Sequence, residues 1–311
     1  MKRIIGVAIV LLVAFVLSGA ALAQDDAISL QGTFSGNANL LRSVSSSFSL
    51  NLTLSFASLT VISNTNFAWL PAMGTTQGFT MEYVISALTF GTDVHLGLIP
   101  LSFQSWDIYA RLHLPDTTIG DGTDAPSLGG YFKVDATILP AFSSTSTLYV
   151  NMDAGPLSAS SRSVVGIVPF SFQGQKFNLS IGFLNATLGD TGGSSASGKL
   201  GAYIDVLPSV ATSVWLEGSL STRGFTAKSY TSLSLIPTVS GTQAFTLTYL
   251  FDSITLTSKT TLDLIPLGFS SEYLKVNATN KDVSVYGWGR FAPARQSAGI
   301  GFSYSFYTGS N

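Results

Sequence analysis

Proline returns along this chain at a nearly fixed interval, and that beat limits the available folds more than any other feature. The residues are Pro71, Pro100, Pro140, Pro169, Pro208, Pro237 and Pro266, separated by 29, 40, 29, 39, 29 and 29 positions. Each follows Leu, Ile or Val, as in Leu98-Ile99-Pro100, Leu235-Ile236-Pro237 and Leu264-Ile265-Pro266. Weaker copies flank the series at Leu41-Arg42-Ser43 and Ala292-Pro293. Self-similarity of this length marks one supersecondary unit repeated in series. Proline offers no N–H to a sheet ladder, so a regular proline belongs at strand ends.

A second punctuation falls between the prolines. Phe56-Ala57-Ser58-Leu59, Ile85-Ser86-Ala87-Leu88, Phe251-Asp252-Ser253-Ile254 and Asn280-Lys281-Asp282-Val283 occupy the same phase of the repeat. Apolar residues switch parity across each. Phe48, Leu50, Leu52, Leu54 and Phe56 alternate with polar residues, and Leu59 and Val61 then carry the apolar face. A two-residue turn between antiparallel strands produces such a switch. Each unit is thus a hairpin with a tight turn at one end and a proline turn at the other. Nine proline-type turns imply about sixteen to eighteen strands. The two longer intervals put extra Gly, Ser, Thr and Asp into Leu114–Gly130 and Leu188–Lys199, at the tight-turn end.

The first residues set the compartment. Lys2 and Arg3 precede an apolar run from Ile4 to Leu17, and Ala21-Leu22-Ala23 offers a small-x-small cleavage site. Residues 1–23 read as a secretory signal peptide and 24–311 as one β domain. Hydrophobic residues are 46% of the chain, mean hydropathy is +0.39, and charged residues are only 10%, against about 25% in soluble domains. No later segment is apolar enough for a membrane helix, and there is no cysteine to staple an exported module. Without Lys2 and Arg3 the chain holds 13 basic and 17 acidic residues, a balance that argues against nucleic acid as a partner.

Alternation alone also suits a secreted sandwich or fibre subunit, and three features favour an all-β, up-and-down antiparallel transmembrane β-barrel. Strands of about ten residues span a membrane when tilted. Successive hairpins in even number can close without a free edge. Aromatic residues edge the apolar face at both ends, with Trp69, Phe103, Phe142, Phe170, Phe269 and Phe291 near the proline turns and Phe56, Tyr83, Phe183 and Phe251 near the tight turns, as in interfacial girdles. The polar face carries the ionisable groups. Glu82, Asp93, Asp107, Arg111, Lys133, Asp135, Lys199, Asp205, Glu217, Lys259, Asp263, Lys275 and Arg290 are all in phase with it, and are the candidate lining of a water-filled lumen. A Lys or Arg on the lipid face would cost about 2–4 kcal/mol.

The last strand alternates Ile300, Phe302, Tyr304 and Phe306 with Gly301, Ser303 and Ser305. It resembles the C-terminal insertion signal of bacterial outer-membrane proteins, although five residues follow Phe306. The chain is similar to the porin-like class of outer-membrane barrels. That resemblance implies outer-membrane lipid and the insertion machinery as partners, and leaves room for a homo-oligomer.

The expected function is passive diffusion of small hydrophilic solutes or ions, at most mildly cation-preferring. The insert carrying Asp116, Asp121 and Asp124 could fold inward as a constriction loop. A structural role in organising or anchoring the envelope is the alternative. No enzyme and no cofactor are expected. His95 and His113 are the only histidines, no nucleophile-elbow motif accompanies Asp107 and His113, and the Asp116 cluster lacks EF-hand spacing for Ca²⁺.

Overall fold

The computed structural model describes residues 28–41, 44–120, 125–188 and 193–309, so the expected leader over 1–23 lies outside the described residues. Eighteen strands follow one another: β1 (Ile28–Asn39), β2 (Ser45–Phe56), β3 (Leu59–Leu70), β4 (Gly74–Ile85), β5 (Leu88–Ile99) and β6 (Leu101–Thr118). Then come β7 (Ser127–Leu139), β8 (Ser143–Ala154), β9 (Leu157–Val168), β10 (Phe170–Leu188), β11 (Ser194–Leu207) and β12 (Ala211–Thr222). The last six are β13 (Phe225–Ile236), β14 (Ser240–Phe251), β15 (Ile254–Ile265), β16 (Leu267–Asn280), β17 (Val283–Phe291) and β18 (Gln296–Gly309). Each pairs antiparallel with its sequence neighbours, and β1 pairs with both β2 and β18. The sheet is a closed up-and-down barrel, at the upper end of the expected strand number.

Most hairpin strands are twelve residues long, as β2, β3, β4 and β5 show. At about 3.4 Å per residue and a tilt of roughly 40°, such a strand climbs about 30 Å, the thickness of a bilayer's hydrocarbon core. The tight turns hold two residues between register partners such as Phe56 and Leu59. Their first residue is left-handed at Ala57 (φ 48), Ser86 (φ 54), Gly155 (φ 58), Asp252 (φ 53) and Lys281 (φ 49). Such backbone matches the right-handed twist of the flanking strands.

At the other rim all seven Leu/Ile/Val-Pro bonds are cis. Two positions before each of these prolines the register slips by one residue. Trp69, Leu98, Ile138, Ile167, Val206, Leu235 and Leu264 are the residues skipped. A bulge sets two residues opposite one, which explains why the motif carries two apolar residues in a row. Both members are exposed in Trp69-Leu70, Ile167-Val168, Val206-Leu207 and Leu235-Ile236. The bulge lets the alternation break at the rim without turning an apolar side chain to the polar face.

This molecule has no ordinary core. Among the described residues only two hydrophobic side chains are buried, Tyr109 and Trp215, while about sixty large apolar ones are exposed. A soluble sandwich would bury those residues between two sheets. Exposing each to water forfeits about 1.5–3 kcal/mol, so the apolar face requires a non-aqueous neighbour.

Candidate functional site: the polar face of the barrel

The two faces differ in exposure as well as composition. Along β14, Phe245, Leu247 and Tyr249 are exposed while Ala244, Thr246 and Thr248 between them are partly covered. The same holds on β6, where Trp106, Ile108 and Leu112 alternate with covered Asp107, Tyr109 and Arg111. Side chains diverge on the convex side of a curved sheet and converge on the concave side. The apolar set is the divergent one.

Register brings all thirteen candidate lining residues onto a single face. Asp93 opposes Asp107, Arg111 opposes Lys133, and Asp135 opposes Tyr109. Glu82 opposes Gly91, next to the Tyr109 ring. Lys199 opposes Glu217, and Asp205 opposes Lys176. Further round, Lys259 opposes Tyr273, Lys275 opposes Trp288, Arg290 opposes Tyr273, and Asp263 opposes Thr242. Arg162, Lys176 and Lys228 share this face too, although the sequence did not single them out.

Charge and aromatic ring are interleaved there. Tyr109 donates a hydrogen bond to Glu82 two strands away, with Gly91 leaving the room between. The Arg111 guanidinium lies 5.7 Å from the Tyr109 ring centre and 5.5 Å from that of Tyr131. Lys133 pairs with Asp135 at 2.5 Å and stands 4.4 Å from the Tyr109 ring. Thr137 donates to Asp107 at 2.6 Å. Lys176 pairs with Asp205 at 3.4 Å. A second aromatic group joins Tyr203, Trp215 and Tyr230, and a third stacks Tyr273 on Trp288 with Lys275 over Tyr286. By contrast β18, β1, β2 and β3 present only small or neutral groups to this face, such as Asn37, Ser47, Ser49 and Asn51.

Two expectations meet a different arrangement. Asp116 lies within β6, and the insert around it prolongs the wall as a hairpin through Thr117–Leu128 and Thr118–Ser127. Asp121 and Asp124 lie outside the described residues. The rule that charge stays on the polar face breaks at Glu272, which opposes Thr260 and Phe291 on the apolar side. There it accepts hydrogen bonds from Ser258 at 2.6 Å and Thr260 at 2.5 Å. Gln77, Gln175 and Gln243 fill the same repeat position, six residues after a proline. Each accepts from one hydroxyl of the preceding strand, Thr65, Ser163 or Thr231, and donates to another, Ser63, Ser161 or Ser229.

No protein-family model matches the sequence, and no curated protein matches it. Solved structures do match in fold. OccAB3 of Acinetobacter baumannii superposes with a TM-score of 0.60 at 8% identity, over 92% of this chain and 100% of that one. OccK2 (OpdF) of Pseudomonas aeruginosa gives 0.57 at 8% identity, over 93% and 99%. The outer membrane protein OprD of Pseudomonas aeruginosa gives 0.55 at 9% identity, over 92% and 94%. The barrel fold is shared with these solved structures.

Proposed function

We propose that the protein is an outer-membrane channel through which small hydrophilic solutes diffuse passively, and that the polar face lines its lumen. The observation that carries this reading is the inversion of the barrel, with apolar residues on the divergent face and almost nothing hydrophobic buried within. A closed sheet of about eighteen strands encloses an aqueous passage unless something plugs it. The likeness in fold to OprD and the Occ proteins supports the same reading. The signal peptide over 1–23 would route the chain outward, and β18, whose alternating aromatic face closes against β1, would be read by the insertion machinery.

The thirteen candidate residues, together with Arg162, Lys176 and Lys228, form the lining in this proposal. Among the described residues twelve basic and twelve acidic side chains balance. A mild preference for cations would therefore come from the acidic excess outside them, at Asp25, Asp26, Asp121, Asp124 and Asp190 against Arg42. Purified protein reconstituted in planar bilayers should give stepwise currents. A folded, heat-modifiable sample that conducts nothing would defeat the channel reading in favour of an envelope scaffold.

A further inference from the structure

We propose that the wall made by β11, β12 and β13 is a binding subsite for pyranose rings of neutral oligosaccharides, built on Tyr203, Trp215 and Tyr230. The inference deepens the channel reading and rests on it for the route by which solute arrives. Four observations converge on this wall.

The first is a one-way sorting of ring types: Tyr83, Trp106, Tyr249 and Tyr304 lie on the apolar face, but register places no phenylalanine on the polar one. The aromatic residues that register places on the polar face are tyrosines and tryptophans, whereas phenylalanines such as Phe34, Phe48, Phe245 and Phe302 oppose residues of the apolar face. A tyrosine or tryptophan offers a flat apolar ring with a polar O–H or N–H at its edge. Sugars demand that combination, because a pyranose has C–H faces and a hydroxyl rim.

The second is the arrangement of the rings. Tyr203 and Trp215 lie with centres 6.2 Å apart at 31°, and Trp215 and Tyr230 6.2 Å apart at 21°. The Trp215 ring rests over Gly201, where any side chain would collide with it. Trp215 is only 8% exposed, yet its neighbours Tyr203 and Tyr230 are 43% and 37% exposed. The tryptophan is the support and the two tyrosines are the open surfaces.

The third is what does not cover them. In the other two groups the protein's own cations occupy ring faces, Arg111 and Lys133 on Tyr109 and Lys275 on Tyr286. Among the described residues no cation lies over Tyr203, Trp215 or Tyr230. Beside them Lys199 and Glu217 stand directly opposite in register, and Glu217 also opposes Tyr230. Among the described residues these two form no ion pair, so an ammonium and a carboxylate remain free for vicinal hydroxyls.

The fourth is the far wall. In a ring of eighteen strands β3 lies nine strands from β12, diametrically across. Its polar face and those of β2, β1 and β18 carry amides and hydroxyls such as Asn37, Asn51, Asn64 and Asn66, with no Asp, Glu, Lys, Arg or His among the described residues. An ion gains little from such a wall, while a neutral polyol finds donors and acceptors on it.

The test uses the full barrel in detergent micelles, titrated with maltotriose and cellotriose by calorimetry and by tryptophan fluorescence, with triglycine as the non-sugar control. Current interruption by the same trisaccharides is recorded in planar bilayers. We expect saturable binding of at least one trisaccharide and none of triglycine. The double variant Tyr203→Ala/Tyr230→Ala should bind about tenfold more weakly. Tyr203→Phe/Tyr230→Phe, which keeps both ring faces, should retain most of the affinity and shows that the barrel tolerates change there. No saturable response to either sugar, or equal affinity in the alanine variant, overturns the proposal. Conductance without sugar binding defeats this subsite alone, whereas sugar binding without conductance upholds it and defeats the channel reading.

Discussion

At the scale of single residues, the most telling is Glu272, a carboxylate on the face that requires a non-aqueous neighbour. Its slot is filled by glutamine in three other repeats, where the amide both accepts and donates. Glu272 only accepts. Glu272→Gln should therefore stabilise the folded barrel by about 1 kcal/mol, since an acid on the lipid face costs up to a few kcal/mol. Denaturant titration of refolding into detergent measures it, and a destabilised variant would contradict the placement. The turns supply a second case. Ala57 and Ser86 sit at φ 48 and φ 54, where a side chain costs roughly 1–2 kcal/mol. Ala57→Gly and Ser86→Gly should each raise the unfolding midpoint in the same assay. Glu272 also shows where sequence periodicity stops. A second register slip at Ser270 shifts the phase of β16 just before it, so counting alternate residues from Leu267 and Phe269 leads to the wrong face. Arg162 escaped notice for another reason: Ser158-Ala159-Ser160-Ser161-Arg162-Ser163 contains no apolar alternation by which to assign a face.

At the scale of hairpins, the glutamine bridges join strands connected by proline turns, β3 to β4, β9 to β10 and β13 to β14. They fix register a few residues below the rim. Replacing Gln243 by Leu would leave the Ser229 and Thr231 hydroxyls without partners on the apolar face, a loss of about 1–3 kcal/mol. Urea unfolding should show this loss, with Gln243→Glu intermediate because Glu272 supports the same two acceptances. Hairpin number and turn position were legible in the sequence, because the period of two and the 29-residue beat act locally. The bridges were not. A glutamine among serines reads as polar wherever it points, and only the partner strand shows that it spends both ends of its amide on hydroxyls. The aromatic groups were likewise out of reach, since Tyr203, Trp215 and Tyr230 meet only when three strands are set in register.

For the whole molecule, the two rims are unequal. Ser29 opposes Gly309 and Ile28 opposes Phe56, so both ends of the barrel lie at the tight-turn rim, together with the longer hairpins near Gly120 and Gly193. If the ends face the periplasm, an epitope inserted after Met73 should be labelled on intact cells, and one inserted at Gly120 only after permeabilisation. The reverse pattern would invert the barrel. Selectivity belongs to this scale as well. With the described charges balanced, the reversal potential in a salt gradient should lie close to zero, and Asp121→Asn/Asp124→Asn should reduce any cation preference that the proposed acidic excess confers.

The slipped residue two positions ahead of each proline carries one more consequence. Because every such hairpin corrects its own phase at its own rim and touches only its neighbours, the architecture is countable in whole units. Excising residues 238–266, one complete period from after Pro237 through Pro266, would leave all other pairings with compatible partners and a ring of sixteen strands. Barrel width in such a molecule is then a matter of arithmetic in the gene, changed in steps of one hairpin by duplication or loss.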